Sequence, residues 1–195
     1  MAFLLLQYTQ EMILKRVRVL SKIGDAMRLL CCLLLLWSVL ISGCGGPHDA
    51  AVGAIKELDG HVTYDEKNPS KPVVGVSLSG QEVTDASLEH LKNLTDLQSL
   101  TLWDTKVTDA GLEHLKELAI LQTLNLWDTK VTDSGLVNLK GITFLESLGL
   151  DGTQVTDVGL EHLKGKSLQE LSLSRTEVTD AGLVHLKDLT SLRML

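Results

Sequence analysis

The sequence has few of the residues that carry disulfide frameworks, aromatic cores or nucleic-acid binding. Its three cysteines, Cys31, Cys32 and Cys44, all lie near the amino terminus, so residues 45–195 contain neither a disulfide pair nor the cysteines of a structural zinc site. Aromatic residues make up only 4% of the 195 residues, which is too few for a conventional aromatic core. The 18 basic residues are outnumbered by 25 acidic ones, and the net charge of −7 argues against nucleic-acid binding.

The amino-terminal region has the order of a secretory signal peptide. Five basic residues precede an apolar run over 29–41: Lys15, Arg16, Arg18, Lys22 and Arg28. A helix over that run would be about 20 Å long, shorter than a hydrocarbon core of about 30 Å. Because a cationic segment, a short apolar segment and small residues follow one another, we predict a signal peptide over 1–43. Met12 and Met27 are alternative starts to Met1.

The segment Ile41-Ser42-Gly43-Cys44 resembles the lipobox of bacterial lipoproteins. The resemblance implies cleavage before Cys44, diacylation of its thiol and acylation of the new amino terminus, which together anchor a protein to a membrane. Gly45, rather than Asp, follows the cysteine, and in this family that implies sorting to the outer membrane of a Gram-negative cell envelope. The alternative is a plain signal peptide with an accidental cysteine. Without residues 1–43 the chain has 13 basic and 23 acidic residues, a net charge of −10.

The next residues are predicted to form a tether and then a cap. Residues 44–49 combine the lipidated cysteine with a spacer that has no apolar period. Within 50–71 we predict a short helix, Ala50 to Leu58, ended by Gly60, and then a strand over 61–64. This helix and hairpin would cover the first unit of the body, whose core face would otherwise be exposed.

The body of the chain is a repeat of 24 residues. Leucines begin successive units at intervals of 24, 24, 23 and 24 residues, and they are Leu97, Leu121, Leu145, Leu168 and Leu192. An earlier, degenerate unit begins at Val73. Each unit contains an alternating leucine pair, such as Leu100 and Leu102, which places both side chains on one face of a strand. Further leucines then recur every three residues, as expected for one face of a helix or 3₁₀ segment. Leucine accounts for 41 of the 195 residues.

This pattern resembles the leucine-rich repeat family, whose strand motif is L-x-x-L-x-L. The Val-Thr-Asp-x-Gly-Leu half of each unit looks like the subtype found in bacterial envelope proteins and in eukaryotic adaptor horseshoes. The resemblance covers 72–195 and implies an α/β solenoid, a horseshoe of about five full units and a truncated sixth. It implies a parallel sheet on the concave face and short helices on the convex face. Threonine replaces the usual Asn or Cys of the turn, and its hydroxyl is expected to bond to the turn backbone.

The outward positions of the strands are the predicted binding surface. Trp103 and Trp127 occupy equivalent positions in adjacent units, about 4.8 Å apart, so their indoles are close enough to stack. The predicted ligand-binding residues on the concave face are Trp103, Asp104, Trp127, Asp128, Asp151, Thr101 and Asn125. Aromatics beside acids suit a peptide, a sugar ring or a cationic side chain. A protein or peptide ligand is therefore predicted, with a carbohydrate or cell-wall ligand, and simple duplication of a harmless tryptophan, as alternatives.

Other repeated residues have simpler interpretations. The histidines His90, His114, His162 and His185 form a row in which we predict no bound metal, because neighbouring helices are too far apart for a common ion. Either Thr108 or Asp109 can cap the first helical turn of its unit. The aspartates are therefore interpreted as caps rather than as calcium ligands, and they are Asp85, Asp109, Asp133, Asp157 and Asp180. A row of lysines is interpreted as a solvent-exposed stripe, and it consists of Lys92, Lys116, Lys140, Lys164 and Lys187.

No catalytic motif is present, since the chain contains neither a nucleophile elbow nor a phosphate-binding glycine loop nor H-E-x-x-H. We predict a non-enzymatic protein without a cofactor. The chain stops within a strand motif, Leu192-Arg193-Met194-Leu195, which would expose an open edge. A truncated reading frame is the preferred explanation. The alternatives are burial by self-association and a fragment of a longer repeat protein without independent function.

Overall fold

The computed structural model describes residues 47–195, which form stacked strand-and-helix units behind a short helix. The predicted signal peptide over 1–43 and the predicted lipidation residue Cys44 lie outside these residues. The helices are α1 (Pro47–Glu57), α2 (Asp85–Leu88), α3 (Asp109–Leu112) and α4 (Asp133–Leu136). The strands are β1 (His61–Tyr64), β2 (Val73–Ser77), β3 (Ser99–Thr101), β4 (Thr123–Asn125), β5 (Ser147–Gly149) and β6 (Glu170–Ser172). The 3₁₀ segments are Glu89–Asn93, Glu113–Leu115, Val137–Gly141, Gly159–Leu163 and Gly182–Leu186.

The six strands form one sheet in chain order, β1 to β6. β1 pairs antiparallel with β2, and every later neighbour is parallel. Thr101 pairs with Asn125 and Asn125 with Gly149, so the repeat of 24 residues maps directly onto the register. Consecutive units therefore present equivalent residues side by side. The predicted α/β solenoid, with a parallel sheet and short helices, is confirmed.

A continuous core of leucines lies between the sheet and the helices. The side chains of Leu100 and Leu124, from neighbouring strands, are fully buried, as are Leu112 and Leu136 from the helices behind them. In each middle unit the first helical turn is α-helical and the next turn is 3₁₀, which accounts for leucines spaced by three residues. No single unit is thick enough to enclose its own leucines, so burial depends on the neighbouring units.

The turn after each strand is closed by the predicted threonine. Thr105 Oγ1 donates a hydrogen bond to the carbonyl of Leu102 at 2.9 Å, and Thr129 does the same to Leu126 at 2.7 Å. Thr153 and Thr176 repeat the bond in the next two units. The expected bond between hydroxyl and turn backbone is therefore confirmed. It leaves the hydroxyl satisfied although Thr105 and Thr129 are buried.

The repeated aspartates do not cap their own helices, which corrects the prediction made from their position. Thr108 is the N-cap residue of α3, and its hydroxyl accepts a hydrogen bond from the Ala110 N–H at 3.3 Å. The carboxylate of Asp85 accepts from the backbone N–H and the hydroxyl of Thr108, both at 2.7 Å. Because an aspartate at the first helical position points toward the next unit, its oxygens cap across the unit boundary.

The same arrangement recurs along the solenoid. The carboxylates bind in the pairs Asp85–Thr108, Asp109–Thr132, Asp133–Thr156 and Asp157–Thr179. This series is the aspartate–threonine ladder. Charge-assisted hydrogen bonds of this kind are stronger than neutral ones, and each of them connects two consecutive units.

The shortened unit is closed by a lysine. Where the repeat loses one residue, Lys166 Nζ donates to the carbonyls of Leu139 and Ile142, both at 2.6 Å, and of Lys140 at 3.0 Å. These carbonyls lie at the end of the preceding 3₁₀ segment, where the Leu139 carbonyl also accepts from the Ile142 N–H at 3.0 Å. Partial burial lowers the pKa of Lys166.

Helix α1 begins earlier than the sequence predicts. Pro47, His48 and Asp49, assigned to the spacer, belong to the helix. His48 Nε2 also accepts a hydrogen bond from the Val73 N–H at 3.3 Å, which connects the start of α1 to the start of β2. Among residues 47–195, no helix is both long and apolar enough to cross a membrane.

Candidate binding surface

The side of the sheet opposite the leucine core is the open sheet face. Its central row consists of Ser77, Thr101, Asn125, Gly149 and Ser172, which pair in register across five strands. Thr101 and Asn125, two of the predicted ligand-binding residues, belong to this row and are half-buried. Because the side chains of this row are small, they leave the strand backbone accessible. The Asn125 amide oxygen accepts a hydrogen bond from the backbone N–H of Trp127 at 2.9 Å, and this bond holds the Asn125 side chain in place.

Both predicted tryptophans are exposed beside this row. Trp103 keeps 49% of its surface exposed and Trp127 keeps 42%. The indole of Trp127 extends over Gly149, where an added Cβ would overlap its Nε1 atom. The indole therefore reaches toward β5, the strand on the other side from Trp103. Exposed indoles on a rigid sheet present a large contact area at little entropic cost.

Asp104 and Asp128 lie in the tight turn after each strand. Their backbones are left-handed, with φ of 53° and 52°, and Gly152 has the same conformation in the next unit. Asp104 Oδ1 accepts a hydrogen bond from Gln81 Nε2 at 2.9 Å. Asp128 Oδ2 accepts from Arg175 Nη2 at 3.1 Å in an exposed ion pair, of a kind that adds little stability. Asp104 and Asp128 thus each have a partner from another unit.

Asp151 differs from the exposed tryptophans that precede it in the repeat. It retains only 8% of its surface exposed, and its Oδ2 atom accepts no hydrogen bond from the described part of the chain. The structure therefore places one predicted site residue, an acid, largely out of solvent. A buried polar atom without a partner is unusual in a native protein and calls for a specific explanation.

A groove of about 290 Å³ runs along the open sheet face beside Trp127. Its lining includes Asn125, Ser147, Gly149 and Glu170. Ser147 Oγ donates a hydrogen bond to Glu170 Oε2 at 3.1 Å. The groove is therefore lined by polar groups on one side and by the Trp127 indole on another. Trp103 and Trp127 share one row with Asp151, but only Trp127 borders the groove.

Sequence reasoning missed four residues of this surface: Gly149, Gly152, Glu170 and Arg175. The unit that begins at Leu121 has Asn-Leu-Trp-Asp at residues 125–128. The next unit has Gly-Leu-Asp-Gly at the equivalent residues 149–152, and thus contains the two glycines. That change is a visible signal, because the loss of two side chains opens space beside the preceding tryptophan and aspartate. Arg175 had no comparable signal, since its partner Asp128 is 47 residues away in the sequence.

Comparisons with known proteins agree with this architecture. Residues 166–187 match the family described as Leucine Rich repeat. The fold is that of a leucine-rich repeat solenoid. Among curated proteins, none matches the chain.

Two solved structures of internalins from Listeria monocytogenes are similar to this solenoid. One internalin is 23% identical with a TM-score of 0.40, and the match covers 54% of this chain and 36% of that internalin. Internalin C2 is 24% identical with a TM-score of 0.45, covering 76% of this chain and 74% of that protein. The chain thus spans about a third of the first internalin's length.

The helical side of the solenoid carries the histidine row. His185 Nε2 lies 3.7 Å from Glu161 Oε1, and the other histidines have no comparable contact within residues 47–195. No group of three potential metal ligands occurs among the described residues.

Proposed function

We propose that the chain is a non-catalytic module that binds a protein or peptide on its open sheet face. The observation that carries the proposal is the half-exposed pair Trp103 and Trp127, displayed in register on a parallel sheet with a groove beside Trp127. Aromatic anchors on a preorganised surface contribute most of the affinity in many interfaces. The repeated residues provide a display of side chains at constant spacing, and catalysis has no part in the proposal.

The test is affinity capture from a cell-envelope extract with the full chain and two matched variants. The double variant Trp103→Ala, Trp127→Ala removes the two indoles, and we expect it to lose the captured protein. The control Phe144→Ala, Val158→Ala removes two side chains that are 60% and 61% exposed outside the tryptophan row, and we expect it to keep that protein. Equal capture by all three chains would contradict the proposed site.

A carbohydrate ligand is the second candidate. The groove beside Trp127 combines an indole with the amide of Asn125 and the hydroxyl of Ser147, an arrangement that also suits a sugar ring. A glycan array separates the two candidates. Binding to glycans that is lost in the double variant, without any protein captured, would favour the carbohydrate ligand.

We also propose that the chain is a lipoprotein of a bacterial cell envelope, anchored through acyl chains on Cys44. The support is the Ile41-Ser42-Gly43-Cys44 motif after a cationic and apolar segment. Several acyl chains give lasting attachment, because each buried methylene contributes about 0.8 kcal/mol. We expect metabolic labelling with an alkynyl fatty acid to mark the chain and to fail for Cys44→Ser. Attachment would raise the local concentration of the module near its partner.

A further inference from the structure

The open sheet face contains a carboxylate oxygen for which residues 47–195 supply no donor. Asp151 is 8% exposed, and its Oδ2 atom accepts no hydrogen bond from residues 47–195. Burial of an ionised carboxylate is costly unless a positive charge or several donors compensate for it. The neighbouring Thr153 hydroxyl is committed to the Leu150 carbonyl at 2.6 Å. The missing partner is therefore expected from outside residues 47–195.

Trp127 is the direct neighbour of Asp151 on the adjacent strand. The pairing of Asn125 with Gly149 continues in register, and the Asp128 N–H donates to the Asp151 carbonyl at 2.8 Å. Leu126 and Leu150 point into the core, so the residues that follow them both lie on the open side of the sheet. The strands are about 4.8 Å apart. Trp127 and Asp151 are thus direct neighbours in the register, and the Trp127 indole extends over Gly149.

The charges of this face favour a positive ligand. Its outward positions hold four acids, Asp104, Asp128, Asp151 and Glu170, and one base, Arg175. Asp104 is bound by the Gln81 amide, Glu170 by a serine hydroxyl, and Asp128 by the Arg175 guanidinium. The last contact shows that a guanidinium already fits beside this row. Asp151 is the acid whose Oδ2 stays without a donor.

We propose that Trp127 and Asp151 form a binding site for one basic side chain, Arg or Lys, of the protein partner. This inference rests on the proposed function. The cation lies against the indole face, which attracts positive charge, and donates a hydrogen bond to the Asp151 carboxylate. The exposed indole forms the edge of the site and the buried carboxylate forms its base. This pairing specifies a positively charged partner residue rather than a neutral glycan.

The experiment uses the full chain, labelled with 5-fluorotryptophan and kept in mild detergent, and two peptide probes. The first probe is acetyl-Gly-Gly-Arg-Gly-Gly-amide, and the second replaces arginine with citrulline, which has the same shape without the charge. The Trp127 fluorine resonance is assigned with Trp127→Phe. We expect the arginine peptide to shift this resonance in a saturable manner. The citrulline peptide is expected to produce no saturable shift.

Two aspartate variants locate the charge. Asp151→Asn is expected to weaken binding of the arginine peptide about tenfold, as expected when a hydrogen bond to a charged group is lost. Asp96→Asn removes the same charge at an exposed position away from the tryptophan row, and we expect it to leave the affinity unchanged. A cooperative melting curve like that of the native chain shows that Asp151→Asn is folded.

Equal binding of both peptides, or unchanged affinity in Asp151→Asn, would overturn the inference. Its failure is distinguishable from failure of the proposed function. If envelope proteins are still captured by Asp151→Asn but are lost in the Trp103→Ala, Trp127→Ala variant, the open sheet face is a protein-binding surface without this cation site. Loss of the tryptophan dependence would remove the proposed function itself.

Discussion

At the scale of single residues, the glycine of each Val-Thr-Asp-x-Gly-Leu motif leaves room for a carboxylate from the preceding unit. A Cβ added at Gly135 would overlap Asp109 Oδ1, and Gly111 stands in the same relation to Asp85. The first unit has Ser87 at this position, and no repeat unit precedes it to supply an aspartate. The glycine is therefore required by space between units.

We expect Gly135→Ala to destabilise the fold by about 1–3 kcal/mol, because the added methyl group displaces the Asp109 carboxylate from Thr132. Urea unfolding followed by circular dichroism measures this loss. The matched control is Gly53→Ala in α1, where an added Cβ meets nothing within 4 Å. That substitution should stabilise slightly, by about 0.5–1 kcal/mol, since alanine is the better helix former. A Gly135→Ala protein as stable as the native chain would contradict the role of space.

At the scale of elements, the aspartate–threonine ladder joins each helix start to the next one. The Asp157 carboxylate accepts from the Thr179 N–H and from its hydroxyl, both at 2.7 Å. The backbone N–H of Thr179 is the main cause that lowers the pKa of Asp157, followed by the hydroxyl. A helix of four residues has little stability alone. Its position therefore depends on such contacts with neighbours.

The lowered pKa of Asp157 gives a prediction for acid stability. A carboxyl whose pKa is depressed on folding contributes stability above the unfolded value, about 3.9 for aspartate, and that contribution is lost as the pH falls through the folded value. We expect Asp157→Asn to lower the melting temperature at neutral pH. The variant should also lose less stability than the native chain on acidification below about pH 4. Melting curves at stepwise lower pH measure both effects.

The exposed Asp188 on the helical side provides the comparison for this pH series. Asp188→Asn removes an equal charge, but its carboxylate accepts no hydrogen bond within residues 47–195. We expect its acid profile to match that of the native chain. Identical profiles for all three proteins would show that the Asp157 contacts add nothing to acid stability.

At the scale of the whole molecule, stability is shared among neighbouring units because the leucine core is continuous. Leu124 is fully buried in the central strand β4, between units that each contribute leucines to the same core. Removing part of such a side chain loses its burial and leaves a cavity. The cost should spread to both neighbours, since no unit encloses its own core.

We expect Leu124→Ala to destabilise the solenoid by about 2–5 kcal/mol, measured by urea unfolding. The control is Leu183→Ala, because Leu183 is 40% exposed and loses less burial on truncation. Its effect should be clearly smaller than that of Leu124→Ala. If both variants lost equal stability, the continuous core would not be the main source of stability.

The candidate site was predictable in part. Trp103 and Trp127 were identified because a constant repeat places equivalent residues side by side, and the parallel register confirms this placement. The burial of Asp151 was not predictable, since the repeat gives it the same position as the exposed tryptophans. The Arg175–Asp128 pair was equally hidden, because its members lie two units apart in the sequence.

The sequence by itself determined the architecture. Leucines at near-constant intervals specify which side chains must be buried together, and only stacked units with a parallel sheet can bury them. The tertiary structure alone decided how the polar groups pair: the aspartates bind the next unit rather than their own helix, and Asp151 Oδ2 has no donor within the described residues. The physical reason is that burial follows a periodic pattern along the chain. Hydrogen bonds and exposure instead depend on which side chain the neighbouring unit places within about 3 Å.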